Sequence, residues 1–195
     1  MTEITAPGAA RAYSGSELTD QPRTTAQSRR LRRKEVTVPV NQLKDFLDQQ
    51  RIKYVSISHS TAYTAQDIAA LTHTPGKELA KTVIVRVDDA LAMAVLPASF
   101  HVDLKLLKAV ANAKAVGLAT EKEFTDRFPE CETGAMPPFG NLYGMAVYVD
   151  ESLTRDKEIS FNAGSHNELI RLAYADFARL VKPVVAEFVV RKAAA

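Results

Sequence analysis

The residues with the clearest chemical potential are one lysine and one uncharged loop. Lys81 stands at the head of an apolar run, and residues 134–140 read Gly-Ala-Met-Pro-Pro-Phe-Gly. Glycines and prolines make such a loop stiff while they let its backbone approach a ligand closely. Main-chain N–H groups can then bind a carbonyl oxygen, and an ammonium group can bind a phosphate or a carbonyl oxygen. Together these features predict a site for a polar or anionic substrate.

The strand that follows Lys81 leaves two interpretations of the lysine open. Successive strand residues point to opposite faces, so Lys81 shares a face with Val83, Val85 and Val87. The side chain either reaches water from the rim of the sheet or faces an interior cavity. A Schiff-base role has no supporting cofactor fingerprint. The neighbouring residues 76–78 lack the first glycine and the Ser or Thr of a phosphate-binding P-loop.

A second polar segment, Asn162-Ala163-Gly164-Ser165-His166, is predicted to be a tight turn between two strands. Hairpin turns are often rich in Asn, Gly and Ser, so the composition alone does not require a function. The Gly/Pro loop could equally be a rigid surface turn. Two such segments together with a lysine on an apolar strand face favour a binding site.

Protein nucleophiles and metal ligands are poorly represented. No serine lies in a Gly-x-Ser-x-Gly elbow. Cys131 precedes Gly134 by three residues and is either a nucleophile near the pocket or an inert packing residue. The spacing of the histidines predicts no metal site. These are His59, His73, His101 and His166.

Composition indicates an ordinary globular protein with one domain. The 195 residues are 46% hydrophobic and 25% charged, and the formal net charge of +2 does not demand a polyanionic partner. No apolar run approaches the length of a membrane span. A single cysteine and the lack of an apolar leader predict a cytoplasmic protein, and no apolar segment follows Arg29-Arg30 as a twin-arginine signal requires.

The chain is predicted to divide into a flexible tail, residues 1–35, and a domain, residues 36–190. The tail ends in a basic cluster, Arg29, Arg30, Arg32, Arg33 and Lys34. This cluster is either a solvated linker or an electrostatic contact for nucleic acid.

Within the domain, apolar spacing and turn residues predict alternating helices and strands. The predicted helices are residues 40–50, 64–71, 104–110, 120–128 and 174–181. The predicted strands are residues 54–57, 81–87, 91–96, 142–149, 159–161 and 169–172. This irregular order favours an α/β fold with a mixed, barrel-like sheet covered by helices.

Four segments, in this order along the chain, resemble the YbaK-like family, whose members are free-standing relatives of the editing domain of bacterial prolyl-tRNA synthetase. The resemblance covers residues 36 to about 190 and rests on Ser58-His59-Ser60 with Tyr63-Thr64, on residues 75–83, on residues 134–140 and on residues 161–166. It implies hydrolysis of the ester between a wrong amino acid and a tRNA, usually the tRNA for proline. The amino acid would be Ala, Cys, Ser or Thr.

The resemblance also implies roles for individual residues. Lys81 would bind the terminal phosphate or the carbonyl region, and the backbone at Gly134, the first residue of a Gly-x-x-x-Pro loop ending at Pro138, would hold the aminoacyl carbonyl. A water molecule would attack, helped by the terminal ribose, without cofactor or metal. Expected pocket residues are His59, Tyr63, Ala135, Met136, Pro137, Pro138, Phe139, Asn162, Gly164, Ser165 and His166.

The predicted function is therefore that of a trans-editing aminoacyl-tRNA deacylase. Its partners would be mischarged tRNA and, as a candidate, prolyl-tRNA synthetase. The pocket of that enzyme cannot strongly exclude smaller amino acids, because one methylene contributes only about 1–3 kcal/mol. The rival hypothesis is a non-catalytic module that binds a nucleotide or a tRNA end. A hydrolase that depends on Cys131 is a third.

Overall fold

The computed structural model describes residues 39–72, 74, 78–129 and 131–191, which form five α-helices and ten strands. The helices are α1 (Pro39–Gln49), α2 (Ala65–Thr72), α3 (Leu104–Val110), α4 (Glu121–Phe124) and α5 (Tyr174–Val181). The strands are β1 (Tyr54–Ser58), β2 (Ala80–Val87), β3 (Ala90–Pro97), β4 (Phe100–Val102), β5 (Val116–Leu118), β6 (Ala146–Asp150), β7 (Glu158–Asn162), β8 (Glu168–Ala173), β9 (Val184–Ala186) and β10 (Val189–Arg191). The predicted tail and its basic cluster lie outside the described residues.

The strands form three sheets. The order of the five-stranded sheet is β5-β2-β3-β6-β9, with antiparallel pairs around β2 and parallel pairs of β6 with β3 and β9. The antiparallel three-stranded sheet has the order β1-β8-β7, and β10 pairs with β4. The mixed α/β prediction is confirmed. No closed barrel forms within the described part of the chain.

The β2–β3 hairpin carries the lysine and follows the predicted pattern. Its strands are joined at Asp88, whose positive φ of 50° suits a tight turn and whose carboxylate accepts hydrogen bonds from the N–H groups of Lys114 and Ala115, both at 2.8 Å. Lys81 lies opposite Leu96 in the register. Side chains on β2 alternate between two cores, as the strand period requires: Ile84 enters the first core cluster and Val85 the second.

The two cores lie on opposite faces of the five-stranded sheet. The first cluster joins this sheet to the three-stranded sheet and to α1 and α5, through buried residues such as Leu47, Val95, Ile170 and Phe177. The second packs Leu107 of α3 and residues near β10 against the other face. Burial of apolar surface on both faces explains why β3 is almost continuously apolar.

Helix starts follow the side chains that cap them. The Thr64 hydroxyl accepts the N–H of Asp67 at 3.1 Å, which forms one half of the capping box predicted for α2. The Asp67 carboxylate accepts from the Thr64 hydroxyl at 2.5 Å rather than from the Thr64 backbone N–H, so the second half differs from the prediction. At α4 the Glu123 carboxylate accepts the N–H of Thr120 at 2.7 Å. The predicted helix 120–128 is too long, because α4 ends at Phe124 and residues 125–127 form a 3-10 turn.

The strand predicted from residue 142 begins only at Ala146. Residues 140–142 form a 3-10 turn, and the chain turns back so closely that a Cβ on Gly140 would lie 2.6 Å from the Met145 carbonyl oxygen. Apolar side chains in residues 142–145 therefore reflect burial around a turn rather than a strand.

One ion pair ties α1 to the three-stranded sheet. The Lys44 ammonium group contacts the Glu168 carboxylate at 2.5 Å, and the Ser56 hydroxyl donates to the same carboxylate. Burial by itself would raise the pKa of Glu168, but the hydrogen bonds from Lys44 and Ser56 outweigh it and lower that pKa. The pair contributes to stability where the carboxyl is ionised.

Candidate active site

A cavity of about 220 Å³ lies where the two larger sheets approach each other. Lys81 comes from β2 of the five-stranded sheet, Asn162 ends β7 of the three-stranded sheet, and Gly134 comes from the Gly/Pro loop. The cavity lining consists of Tyr63, Ile68, Leu79, Ala80, Lys81, Ala98, Gly134, Asn162 and His166. Lys81, Gly134 and the turn before β8 thus meet in one place.

The Lys81 side chain is half-buried, and its Nζ donates to the Ala98 carbonyl oxygen at 3.2 Å. Burial lowers the pKa of Lys81, because removal from water disfavours the charged form. Among the described residues, no carboxylate forms an ion pair with Lys81. An ammonium group has several N–H donors, so the bond to Ala98 leaves others for an anionic or carbonyl ligand.

Gly134 adopts a φ of +90°, a conformation that glycine reaches without strain. Space is not the reason for glycine here, since a Cβ would lie 3.6 Å from Cε1 of His166, an ordinary contact. The Gly134 N–H donates to Met136 Sδ at 3.3 Å. A thioether is a weak acceptor, so a carbonyl oxygen could replace it at little cost.

The next residues of the loop turn away from the cavity. The Ala135 N–H donates to the Glu132 carbonyl at 2.9 Å, and the Ala135 carbonyl accepts from the Gly164 N–H at 2.9 Å. The Ala135 amide is therefore already used within the protein. Gly134 is the one residue of segment 134–140 in the cavity lining.

The rest of the segment predicted to contact substrate lies away from the cavity lining. Ala135, Met136, Pro137, Pro138 and Phe139 are all buried, and none of them lines the cavity. The Phe139 ring packs against Phe161 and Phe177 with centroid distances of 5.6 and 5.5 Å. We assign Met136 and Phe139 to the first core cluster.

The turn between β7 and β8 is held to the Gly/Pro loop through His166. Its N–H donates to the Glu132 carboxylate at 2.6 Å, and its Nε2 lies 3.0 Å from the Thr133 carbonyl oxygen. A carbonyl only accepts, so Nε2 carries the proton and Nδ1 is an acceptor in the neutral ring. Nδ1 of His166 and Oδ1 of Asn162 are buried atoms without a hydrogen-bond partner in the described protein. Both residues line the cavity.

Tyr63 stands at the opening of the cavity. Its side chain is 74% exposed although it is large and apolar, and its ring lies 4.8 Å from the His166 ring, centroid to centroid. An exposed aromatic ring beside a polar cavity is a suitable contact for a planar ligand group.

Three other predicted pocket residues lie outside the lining. His59 Nδ1 is 2.7 Å from the Ser60 carbonyl oxygen, and the Ser165 hydroxyl donates to the Asn167 side chain at 2.6 Å. Gly164 is buried with a φ of 105°, and its carbonyl accepts the Glu132 N–H. These residues shape the turn and its surroundings without facing the cavity.

Sequence reasoning missed four apolar lining residues: Ile68, Leu79, Ala80 and Ala98. They line the cavity because α2, the start of β2 with the residue before it, and the turn after β3 border it. The apolar face of α2 could have indicated Ile68 from the sequence. The positions of Leu79, Ala80 and Ala98 at the cavity depend on tertiary structure, which leaves no local pattern.

Cys131 lies outside the cavity lining and packs against the first core cluster, with its Sγ 3.9 Å from the Tyr143 hydroxyl. The described residues include no cluster of three or more His, Cys, Asp and Glu side chains suited to a metal ion. No helix in the described ranges is long and apolar enough to span a membrane.

A second cavity, of about 360 Å³, has a mostly acidic lining, unlike the cavity that contains Lys81. Asp150, Glu151 and Glu187 line it together with Arg155. The Asp150 carboxylate accepts the N–H groups of Ser152 and Phe188 at 3.0 and 3.2 Å. These hydrogen bonds compensate the carboxylate for its removal from water, so Asp150 has a structural role here. Because acidic groups dominate this lining, the smaller cavity around Lys81 is the better candidate for an anionic substrate.

Known proteins share both sequence and fold with this chain. The family model described as "Aminoacyl-tRNA editing domain" matches residues 59–180. The multifunctional Ser/Thr-tRNA deacylase ProXp-y of Escherichia coli K12 is 26% identical over 147 residues, covering 73% of this chain and 87% of that protein. Its counterpart in Escherichia coli O157:H7 matches equally.

Solved structures support the same architecture. A hypothetical protein superposes with a TM-score of 0.70 at 20% identity, covering 76% of this chain and 99% of its own. A candidate trans-editing enzyme for prolyl-tRNA synthetase superposes with a TM-score of 0.67 at 19% identity, covering 77% and 96%. At these identities the likeness establishes the fold.

Proposed function

Because the chain belongs to the family of aminoacyl-tRNA editing domains, it is an aminoacyl-tRNA deacylase, and we propose that it hydrolyses the ester in the cavity lined by Lys81 and Gly134. The reaction adds water to the ester and releases a free amino acid and the terminal hydroxyl of the tRNA. We also propose that it acts in trans, on tRNA that a separate synthetase has mischarged.

The observation that carries the proposal is the position of Lys81 and Gly134 in one lining. Lys81 supplies an ammonium group for the terminal phosphate or the ester carbonyl. The Gly134 N–H, whose present acceptor is only a thioether, supplies a donor for the developing oxyanion. Such preoriented donors stabilise the charge that appears in the transition state.

Water is the proposed nucleophile. The cavity lining contains no serine, threonine or cysteine, and Cys131 lies outside it. The terminal ribose hydroxyl of the substrate assists the attack, as the family resemblance implies. His166 lines the cavity and its Nδ1 has no partner in the described protein, and this atom is proposed to accept a hydrogen bond from that water or from the substrate ammonium group.

The small cavity and its polar atoms favour serine and threonine among the candidate amino acids Ala, Cys, Ser and Thr. The unpartnered Oδ1 of Asn162 can accept a hydrogen bond from a substrate hydroxyl. The relative in E. coli is itself named a Ser/Thr-tRNA deacylase. A tRNA for proline as carrier and prolyl-tRNA synthetase as partner complete the proposal, and cytoplasmic localisation and the tRNA-binding role of residues 1–35 stay predictions.

The test replaces the ammonium group and follows turnover. Lys81→Ala should lower the rate of amino acid release from mischarged tRNA about 10²–10³-fold, as expected for loss of an oxyanion-stabilising group. Labelled Ala, Cys, Ser and Thr esters of tRNA for proline form the substrate panel. Lys122→Ala, at an exposed lysine of α4, is the control and should keep the wild-type rate.

Two results would contradict the proposal. Wild-type rates in Lys81→Ala would remove the lysine from the mechanism. Protection of every ester by the wild-type protein would favour the non-catalytic binding module, and loss of activity in Cys131→Ala with unchanged stability would favour a cysteine nucleophile.

A further inference from the structure

A third cavity also borders Lys81, and Gly134 is not part of its lining. It measures about 230 Å³ and is lined by Lys81, Val83, His101, Val102, Leu104 and Leu118. Apart from Lys81 and His101, every lining side chain is apolar. Lys81 is the residue that this cavity shares with the candidate active site.

One cavity has a polar lining and the other an aliphatic lining. The two ends of an aminoacyl nucleotide, a polar amino acid and a planar base, differ in the same way. The active-site cavity presents Asn162 and His166, which suit the polar amino acid. The third cavity presents aliphatic surface, which suits the faces of a planar base. The ammonium group between them suits the phosphate that joins the terminal nucleotide to the rest of the tRNA.

Exposure of the apolar lining supports a ligand contact. Leu118 is 58% exposed on the edge strand β5, and His101 is exposed on β4. Val83, Val102 and Leu104 are partly exposed beside Leu118, and contiguous exposed apolar surface marks a binding site more often than scattered residues do. Because Lys81 lines both cavities, a substrate whose phosphate contacts the ammonium group can place its two ends in them.

On the proposed function as its premise, we infer that the third cavity binds the terminal adenine of the tRNA, stacked against Leu118, Leu104 and Val83. The amino acid then lies in the cavity of Gly134 and His166, and the ribose and phosphate pass Lys81. The base contact is the same in the ground state and in the transition state, so removal of the base should raise KM more than it lowers kcat.

The experiment compares two substrates and pairs of variants. The substrates are alanyl and seryl esters of an acceptor-stem minihelix that ends either in adenosine or in a ribose without a base. For the wild-type protein the missing base should raise KM about tenfold, as expected for loss of apolar contact between the base and the aliphatic lining. Leu118→Ser should raise KM about tenfold for the adenosine substrate and leave the KM of the abasic substrate unchanged.

Controls separate a base contact from a loss of structure. Leu106→Ser changes a leucine on α3 that is 44% exposed and lies outside the cavity, so its kinetics should match the wild type. His101→Ala is a second variant in the same cavity and should shift KM in the same direction as Leu118→Ser. Thermal melting should show all three variants folded.

Several outcomes would overturn the inference. Equal wild-type KM for both substrates, or a Leu118→Ser variant that still distinguishes them, would exclude the third cavity as the base site. If Tyr63→Ala abolished the distinction instead, the base would lie on the Tyr63 ring. If the wild-type protein released no amino acid from any mischarged substrate, the proposed function and this inference would both fail.

Discussion

The two ends of segment 134–140 are similar in composition but differ in environment. At one end, Gly134 is exposed to the cavity, with a positive φ and an N–H bonded only to a thioether. At the other end, Phe139 and Gly140 are buried, and the phenyl ring packs among three other phenyl rings, those of Phe46, Phe161 and Phe177.

This difference shows how a stiff loop can serve a site. The buried end anchors the loop in the core, and the anchored backbone holds the Gly134 N–H in a fixed direction. Preorganised donors lose little freedom when the substrate binds. Substitutions at the two ends should therefore affect different quantities, stability at one end and turnover at the other.

The largest effect is expected from Phe139→Ala. Removing a fully buried ring should lower the free energy of unfolding by about 3–5 kcal/mol. Chemical denaturation followed by circular dichroism measures this loss. Phe139→Leu keeps more apolar volume and should lose less. A stability equal to the wild type would show that the ring is not part of the core.

Gly134→Ala should act mainly on turnover. Alanine at a φ of +90° costs about 1–3 kcal/mol, and the backbone can relieve this strain by rotating the peptide and turning the N–H away. We expect kcat for ester hydrolysis to fall about tenfold or more, measured in single-turnover assays. An unchanged kcat would exclude the Gly134 N–H as an oxyanion donor.

Two other glycines are matched controls for that substitution. Gly140→Ala places a Cβ 2.5 Å from a Val147 methyl carbon and should cost about 1–3 kcal/mol of stability, with kcat nearly unchanged in the folded protein. Gly117→Ala meets no atom within 4 Å and should be nearly neutral in both respects. A large loss of kcat in Gly140→Ala would mean that the two ends are coupled.

The pH dependence of turnover tests the charge of Lys81. Burial lowers the pKa of this group, so a reaction that needs the ammonium form should weaken as the pH rises through a pKa below that of an exposed lysine. After subtraction of spontaneous ester hydrolysis, the wild-type rate should decline on the alkaline side. Lys81→Ala should lack this decline, and an alkaline limb that persists in the variant would belong to another group.

A smaller effect is expected at Glu168, which lies outside the cavity lining. The pKa of this carboxyl is lowered in the folded protein, so its contribution to stability is present above the unfolded pKa and is lost as the pH falls through the folded pKa. Glu168→Gln should cost about 1 kcal/mol near neutral pH. The difference from the wild type should vanish in acid, and a cost that persists there would indicate a packing effect.

Local patterns in the sequence predicted much of the fold. The β2–β3 hairpin, α3 and α5 appear within a residue of the predicted bounds, because apolar period, turn residues and caps agree there. The three-residue strands β4, β5, β9 and β10 were not predicted. Strands this short carry no periodic signal, and their pairing depends on partners far along the chain, as for β9 beside β6.

The candidate site was predictable in part for a similar reason. A lysine in an apolar strand and a glycine that needs a positive φ both leave a local signal, and Lys81 and Gly134 do line one cavity. The direction of side chains in an irregular loop leaves none, so Phe139 in the core could not be told from Gly134 at the cavity. The shared role of Lys81 in two cavities depends on how the sheets pack.

The site draws its parts from separate sheets, and this arrangement has a mechanical consequence. Lys81 belongs to one sheet and Asn162 to the other, and outside the shared core the two sheets are joined by a bridge between Leu79 and Ser160. A sliding of either sheet by a fraction of an ångström would alter the separation of the two polar groups. Distant substitutions that leave every lining residue intact can therefore retune which acyl groups are accepted.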